Sequence, residues 1–136
     1  MTGGTSLYNV YLNGTFSHVL NLPSNHRGTQ SHQLFLQLDP LLQSFIVISK
    51  RTGSLVGGRS EVFHGIEVDE EASLLLPEER SQRRLEVIGD SATSGFGMLS
   101  ESNDGPACHR TQARNQDSQL TYSLLIAKEL LGGSAL

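Results

Sequence analysis

The strongest constraint on the fold is a dipeptide, Asn13-Gly14, set between two runs that alternate with a period of two. Before it, Tyr8, Val10 and Leu12 alternate with Asn9, Tyr11 and Asn13; after it, Phe16, His18, Leu20 and Leu22 alternate with Ser17, Val19 and Asn21. Successive side chains of a strand point to opposite faces, so this period marks a half-buried strand. Asn and Gly both tolerate positive φ, which a tight hairpin turn demands at its two central positions. The chain is therefore expected to open with an antiparallel hairpin.

Further strands are expected as far as residue 68. Leu34, Leu36 and Leu38 share one face up to the break at Asp39-Pro40. Residues 45–48 form a continuous apolar, β-prone run that reads as a buried strand, and residues 62–68 form a last short strand interrupted by Gly65. Polar residues 23–31 and glycine-rich residues 53–60 read as loops. Short strands separated by turns point to an antiparallel sandwich or jelly roll, with fewer strands than a sandwich normally needs and hence exposed edges.

Residues 69–84 are acidic and then basic around Pro77, and read as a connector. Its cations, Arg80, Arg83 and Arg84, lie beside Glu78, Glu79 and Glu86, a mixed solvated cluster; with a net charge of -4, no basic field marks a nucleic-acid partner. No stretch approaches the roughly 18 apolar residues of a membrane span. The first seven residues lack the apolar run of a signal peptide, so the chain as written is expected to stay in the cytosol. The sequon Asn13-Gly14-Thr15 matters only after secretion. The single cysteine, Cys108, allows neither an internal disulfide nor a cysteine metal cluster.

Beyond the connector the pattern changes. Residues 85–88, Leu-Glu-Val-Ile, read as a short strand that runs into Gly89-Asp90-Ser91, with Gly95 and Gly97 following. Polar residues 98–116 read as a loop. Asp117 or Ser118 can then cap a helix, on which Leu120, Leu124, Ala127 and Leu131 fall on one face and which Gly132-Gly133 ends.

A serine at the carboxyl end of a strand stands clear of the sheet, where functional groups of open α/β folds gather. Gly89 allows a tight turn, and Gly95 and Gly97 leave the approach uncrowded. A serine hydroxyl is a weak nucleophile at neutral pH and needs a base, usually histidine, together with donors for the oxyanion formed on attack at an acyl carbon. Gly-Asp-Ser alone also fits an ordinary β-turn. The preceding strand and following glycines favour a nucleophile turn, and the Gly-Gly-Pro that follows Gly-Asp-Ser in chymotrypsin-like proteases is absent.

Residues 85–97, LEVIGDSATSGFG, resemble the first block of SGNH (GDSL-like) hydrolases, an apolar strand followed by Gly-Asp-Ser-x-Thr-x-Gly-x-Gly. The chain more narrowly resembles the two-domain carbohydrate esterases of family two, the acetyl xylan esterase-like group. Residues 8–14 are similar to their strand ending in an Asn-Gly or Asp-Gly turn, Lys50-Arg51-Thr52 to a jelly-roll strand end, Phe63-His64-Gly65-Ile66 to a Phe-x-Gly segment, and residues 120–130 to the helix after the nucleophile. The resemblance implies a partial jelly-roll-like β-sandwich over residues 1–68, a linker over 69–84, and over 85–136 the first strand, nucleophile turn and first helix of a flavodoxin-like α/β domain. It implies Ser91 as nucleophile and backbone oxyanion donor, supported by Gly89, Asp90, Thr93, Gly95 and Gly97. Acetylated carbohydrate would be the substrate, and no metal or organic cofactor is needed.

The same resemblance implies parts not found here. The second oxyanion donor is a glycine on the next strand, the third an asparagine further on, and the base a histidine within Asp-x-x-His; all would follow Leu136. Family members also begin with further strands and a secretion signal. The expectation is therefore a fragment, inactive alone. The five histidines do not substitute for the missing base: His18 alternates on a strand, His26 and His32 flank a polar loop, His64 sits in the last strand of the first domain, and His109 follows Cys108 in a loop. No pair has metal-ligand spacing. The alternative is a non-catalytic β-sandwich module that binds carbohydrate. The absence of Trp and the low aromatic content weigh against that reading.

Overall fold

The computed structural model describes residues 6–22, 28–35, 37–39, 41–53, 61–76, 84–100 and 112–130. Three strands, β1 (Ser6–Leu12), β2 (Thr15–Leu22) and β3 (Ile46–Lys50), form an antiparallel sheet in the order β2-β1-β3. Two 3₁₀ turns, Ala113–Asn115 and Ser118–Leu120, precede a helix α1 (Tyr122–Leu130). The architecture is thus mixed, a β-sheet followed by a helix.

The hairpin forms where the sequence places it. Asn13 (φ 51°) and Gly14 (φ 78°) both take positive φ, the geometry whose twist matches that of the flanking strands. Asn13 also tethers the third strand. Its N–H donates to the Phe45 carbonyl at 2.8 Å, and its Oδ1 accepts from the Phe45 N–H at 2.8 Å.

The hairpin departs from simple alternation at one point. Val10 pairs with His18 but Tyr11 pairs with Phe16, so Ser17 is an extra residue, a β-bulge. The bulge moves Phe16 off the face shared by His18, Leu20 and Leu22. Phe16 instead meets Tyr11 edge-on, with ring centroids 5.8 Å apart, while His18 meets Phe35 in the same manner.

Three expected strands do not form ladders. Among residues 34–38, those described pair with nothing in the sheet, and Leu36 lies outside the described residues. Residues 62–68 and 85–88 are exposed throughout and unpaired, Ile88 being 92% exposed. A period of two makes a segment fit for a strand, but the strand exists only when a neighbour takes up its N–H and C=O groups. The apolar run at 45–48 does pair, yet β3 is an edge strand, with Phe45 and Ile46 exposed rather than buried. Among the described residues there is no second sheet. The helix stop at Gly132-Gly133, the face residue Leu131, Arg80, Arg83, Cys108, His26 and His109 all lie outside the described residues.

The interior is unusually polar. Among the described residues Leu7 and Val10 are the buried apolar side chains, and beside them are buried Asn9, Thr52, Asn115, Gln116, Asp117, Gln119 and Thr121. Polar groups taken out of water must find partners, and here Thr52 and residues 112–121 supply them to β1 and the end of β3. Thr52 Oγ1 accepts from the Leu7 N–H at 3.2 Å. Ser118 N–H donates to the Arg51 carbonyl at 3.1 Å, and Ser118 Oγ donates to the Lys50 carbonyl at 2.6 Å. The Gln119 amide meets Ser49 Oγ, and the Gly53 N–H donates to Gln116 Oε1 at 3.0 Å.

Candidate functional site

The segment around Ser91 is a single helical turn with a defined start and stop. Asp90 caps the start, its Oδ1 accepting from the Ala92 N–H at 3.0 Å, as an N-cap does two residues ahead. The Phe96 N–H donates to the Ser91 carbonyl at 2.9 Å, and the Gly95 N–H donates to the Ala92 carbonyl at 3.2 Å. These nested bonds, with Gly95 at φ 87°, are a Schellman closure, which requires the left-handed conformation that glycine adopts without strain. Ser94 Oγ donates to the Ser91 carbonyl at 3.0 Å and reinforces the turn. The next bend places Gly97 at φ 72°, with its carbonyl accepting from the Ser100 N–H at 3.1 Å.

Each expected site residue has a definite place in this turn. Ser91 is exposed at its first position, and Asp90 is exposed with its carboxylate engaged in the cap. Gly89 does not take positive φ. A side chain there would run into Thr93, whose Cβ would be 2.8 Å from an added Cβ. Its role is close approach rather than backbone freedom. Thr93 Oγ1 shares a hydrogen bond of 2.8 Å with the Tyr122 hydroxyl at the start of α1. Gly95 is buried against the Asp117–Ser118 peptide, where an added Cβ would lie 2.7 Å from Ser118 N.

The turn is fastened to the sheet by residues that local sequence patterns do not single out as a site. Asp117 N–H donates to the Gly95 carbonyl at 3.0 Å, and Leu99 N–H to the Asn115 carbonyl at 3.1 Å. The Asp117 carboxylate accepts from Asn9 Nδ2 at 3.1 and 3.3 Å and from the Gln119 N–H at 2.9 Å. Arg51 Nε lies 3.6 Å from the same carboxylate. That guanidinium also donates from Nε to the Gln116 carbonyl at 2.7 Å and from Nη2 to the Arg114 carbonyl at 2.9 Å. The legible signal was the capping role of Asp117, which the structure bears out on the 3₁₀ turn ahead of α1. Asn9 and Arg51 carry no local signal, because their partner lies far along the chain.

The described histidines engage elsewhere. His18 is bonded to Ser17 at 3.1 Å and stacked edge-on against Phe35, and His32 and His64 are exposed. Among the described residues no cluster of His, Cys, Asp or Glu could hold a metal ion, and no helix is long and apolar enough to cross a membrane. A second polar cluster lies on the opposite face of the sheet from Asn9. Tyr8 hydroxyl and Lys50 Nζ both reach Glu61 Oε2, Lys50 at 3.0 Å, and Lys50 stands 5.9 Å from the centre of the Tyr8 ring. Burial, then the hydrogen bond to Glu61 and its charge, push the Tyr8 hydroxyl above its usual range. Burial alone would raise Glu61, but hydrogen bonds from Ser6, Tyr8 and Lys50 outweigh it and hold the carboxyl below its usual value.

Comparison with protein-family models, curated proteins and solved structures finds no match to this chain.

Proposed function

We propose that the chain carries the nucleophile-bearing part of a serine esterase of the SGNH class that acts on acyl, chiefly acetyl, esters of carbohydrates. On this reading β1–β3 belong to a jelly-roll-like sandwich. Residues 85–136 belong to the start of a flavodoxin-like domain, with its nucleophile turn and first helix, and residues 85–88 await the neighbouring strands that would pair them. The observation that carries the reading is the setting of Ser91. An exposed serine stands on the first residue of a helical turn capped by Asp90, with Gly89 and Asp90 between it and the run Leu85-Glu86-Val87-Ile88, and a left-handed glycine closes the turn.

The chemistry follows from that setting. Ser91 Oγ attacks the acyl carbon, its proton passes to a base, the ester oxygen leaves, and water later removes the acyl group from Oγ. The Ser91 N–H serves as one oxyanion donor. Gly89, Asp90, Thr93, Gly95 and Gly97 hold the turn that presents it. No described histidine is bonded to Ser91, so the base comes from elsewhere. Loss of a general base costs about 10²–10⁴ in rate, and loss of one oxyanion donor about 10²–10³, so the chain by itself is expected to be a very poor esterase.

Small-molecule rescue tests the proposal. Free imidazole can accept the Ser91 proton while p-nitrophenyl acetate delivers its acetyl group to Oγ and releases p-nitrophenolate. The expected result is imidazole-dependent release above that of Ser91→Ala, with acetyl-Ser91 found by peptide mass spectrometry. Superimposable imidazole dependences for the two proteins, with no acetyl on Ser91, would overturn it.

A further inference from the structure

One residue touches both the sheet and the Ser91 turn, and does so through different groups. The Asp117 main chain faces the turn. Its N–H donates to the Gly95 carbonyl at 3.0 Å, and its carbonyl lies where any side chain at position 95 would have to go. The Asp117 side chain faces the sheet. It accepts from Asn9 on the central strand and stands beside Arg51 at the end of β3. Both ends of this link are buried, Asn9 to 2% and Asp117 to 7% exposure. Asn9 Oδ1 has no hydrogen-bond partner among the described residues. A buried amide at the centre of a small sheet therefore directs its donor to Asp117 while its acceptor goes unused. An apolar residue would fit such a position at lower cost; what the amide adds is direction, since a carboxylate accepts only and Nδ2 donates only.

We propose that Asp117 is a positioning residue that sets the orientation of the Ser91 turn relative to the sheet. Its consequence for catalysis rests on the reading of Ser91 as a nucleophile; the mechanical coupling does not. The coupling is directional, so exchanging the partners tests it. In Asp117→Asn the amide oxygen can still accept, but the amide nitrogen must face a donor it cannot satisfy, either Arg51 with Asn9 or the Gln119 N–H. In the double variant Asn9→Asp/Asp117→Asn, donor and acceptor trade places and the net charge is unchanged.

The experiment measures amide hydrogen exchange across the full chain, together with imidazole-dependent acetylation of Ser91. Asp117→Asn is expected to speed exchange at Gly95, Phe96 and Leu99 by about tenfold or more while β1 and β2 keep their protection, a local opening rather than a global one. Acetylation of Ser91 is expected to fall by a similar factor. The double variant is expected to recover only part of each loss, because the exchanged side chains restore the donor–acceptor pair while Arg51 no longer faces a carboxylate at position 117. Unchanged exchange at the turn overturns the proposal, as does equal loss over turn and hairpin, which would make Asp117 a general stabiliser. A double variant no better than Asp117→Asn alone overturns it too. If Ser91 is never acetylated in any variant but the exchange pattern appears as stated, the esterase reading falls and the coupling stands.

Discussion

Replacing Arg51 with methionine removes a largely buried, multiply bonded charge while keeping much of its stem. The guanidinium donates to two carbonyls, of Gln116 at 2.7 Å and of Arg114 at 2.9 Å, and lies 3.6 Å from the Asp117 carboxylate. The side chains of Arg51 and Asp117 are 13% and 10% exposed, so the pair is screened little by water or salt. Breaking a buried pair from one side costs about 3–5 kcal/mol, mostly because the other charge is stranded. Asp117 keeps its bonds from Asn9 and Gln119, which places the expected loss near the lower end, about 3 kcal/mol. At roughly 3–5 °C per kcal/mol for a chain of this size, Tm should fall by about 10–15 °C. Arg51→Lys should fall in between, because an ammonium lacks the planar fork that spans two carbonyls. Thermal and urea unfolding followed by circular dichroism, at low and high salt, measure both. A loss below about 1 kcal/mol in Arg51→Met, or one that vanishes in high salt, would refute the reasoning by showing that the network behaves as a surface pair.

Two glycine substitutions separate backbone strain from crowding. Gly14 (φ 78°) has nothing within 4 Å of an added Cβ, so Gly14→Ala should cost only the left-handed penalty of about 1–2 kcal/mol. Gly95→Ala carries that penalty and also forces a methyl into the Asp117 peptide, adding about 1–3 kcal/mol; equal costs in urea titrations would contradict the close approach. Val10→Ala should cost about 2 kcal/mol, since Val10 is fully buried at the centre of the sheet, and an unchanged urea midpoint would contradict that placement. Stability should also fall at both extremes of pH through the Glu61 cluster. Glu61, held below its usual value, contributes above its unfolded pKa of about 4.3, and this is lost as pH falls through the folded value. Tyr8, raised above its usual range, contributes below about pH 10 and loses this as pH rises further. Urea midpoints against pH for the parent and Glu61→Gln check this, the variant being expected to lose the Glu61 part of the acid limb and to weaken the alkaline one.

What the sequence made legible was local. The Asn13-Gly14 turn and the Asp117 cap each depend on a few neighbouring residues; the turn appears where the pattern puts it, the cap serves the 3₁₀ turn Ser118–Leu120 rather than α1, and Gly95, expected to leave the approach uncrowded, is packed against Asp117. The bulge at Ser17 is not visible in alternation, because adding one residue to one strand changes the pairing without changing the composition. Residues 62–68 and 85–88 show the opposite failure. Their pattern is compatible with a strand, but no partner among the described residues completes it. The buried network escaped for a third reason. Hydrophobic patterning looks for Leu, Ile and Val inside, whereas Asn9, Gln116, Asp117 and Gln119 are buried by hydrogen bonds between distant segments. In isolation the tract leading into Asp117 reads as loop. The same distinction applies to the site: the turn that bears Ser91 could be read from residues 89–97, while its attachment through Asp117 to Asn9 and Arg51 could not.

The helix poses the sharpest remaining question of stability. α1 has nine residues and none of them is buried. An isolated helix in water is marginal below about 12–15 residues, and most helices gain their stability by packing an apolar face. Here Tyr122, Leu125, Ile126 and Leu130 recur at helical spacing along a single stripe, and all are about half exposed. Leu125, Ile126 and Leu130 also line a shallow surface groove with Lys128 and Glu129. The attachments of α1 are concentrated at its first turn, through the Thr93–Tyr122 bond and the Thr121 cap, whose Oγ1 accepts from the Leu124 N–H at 3.4 Å. The expected outcome for the isolated chain is a helix that exchanges its amides quickly after the first turn, while the β1–β2 hairpin remains protected. Leu125→Lys with Ile126→Lys should then change unfolding free energy by no more than about 0.5 kcal/mol, as for exposed positions elsewhere. A loss above about 1.5 kcal/mol would mean that this stripe is covered in the folded chain, and slow exchange through Leu130 would mean that α1 is stabilised by contacts other than those at its first turn.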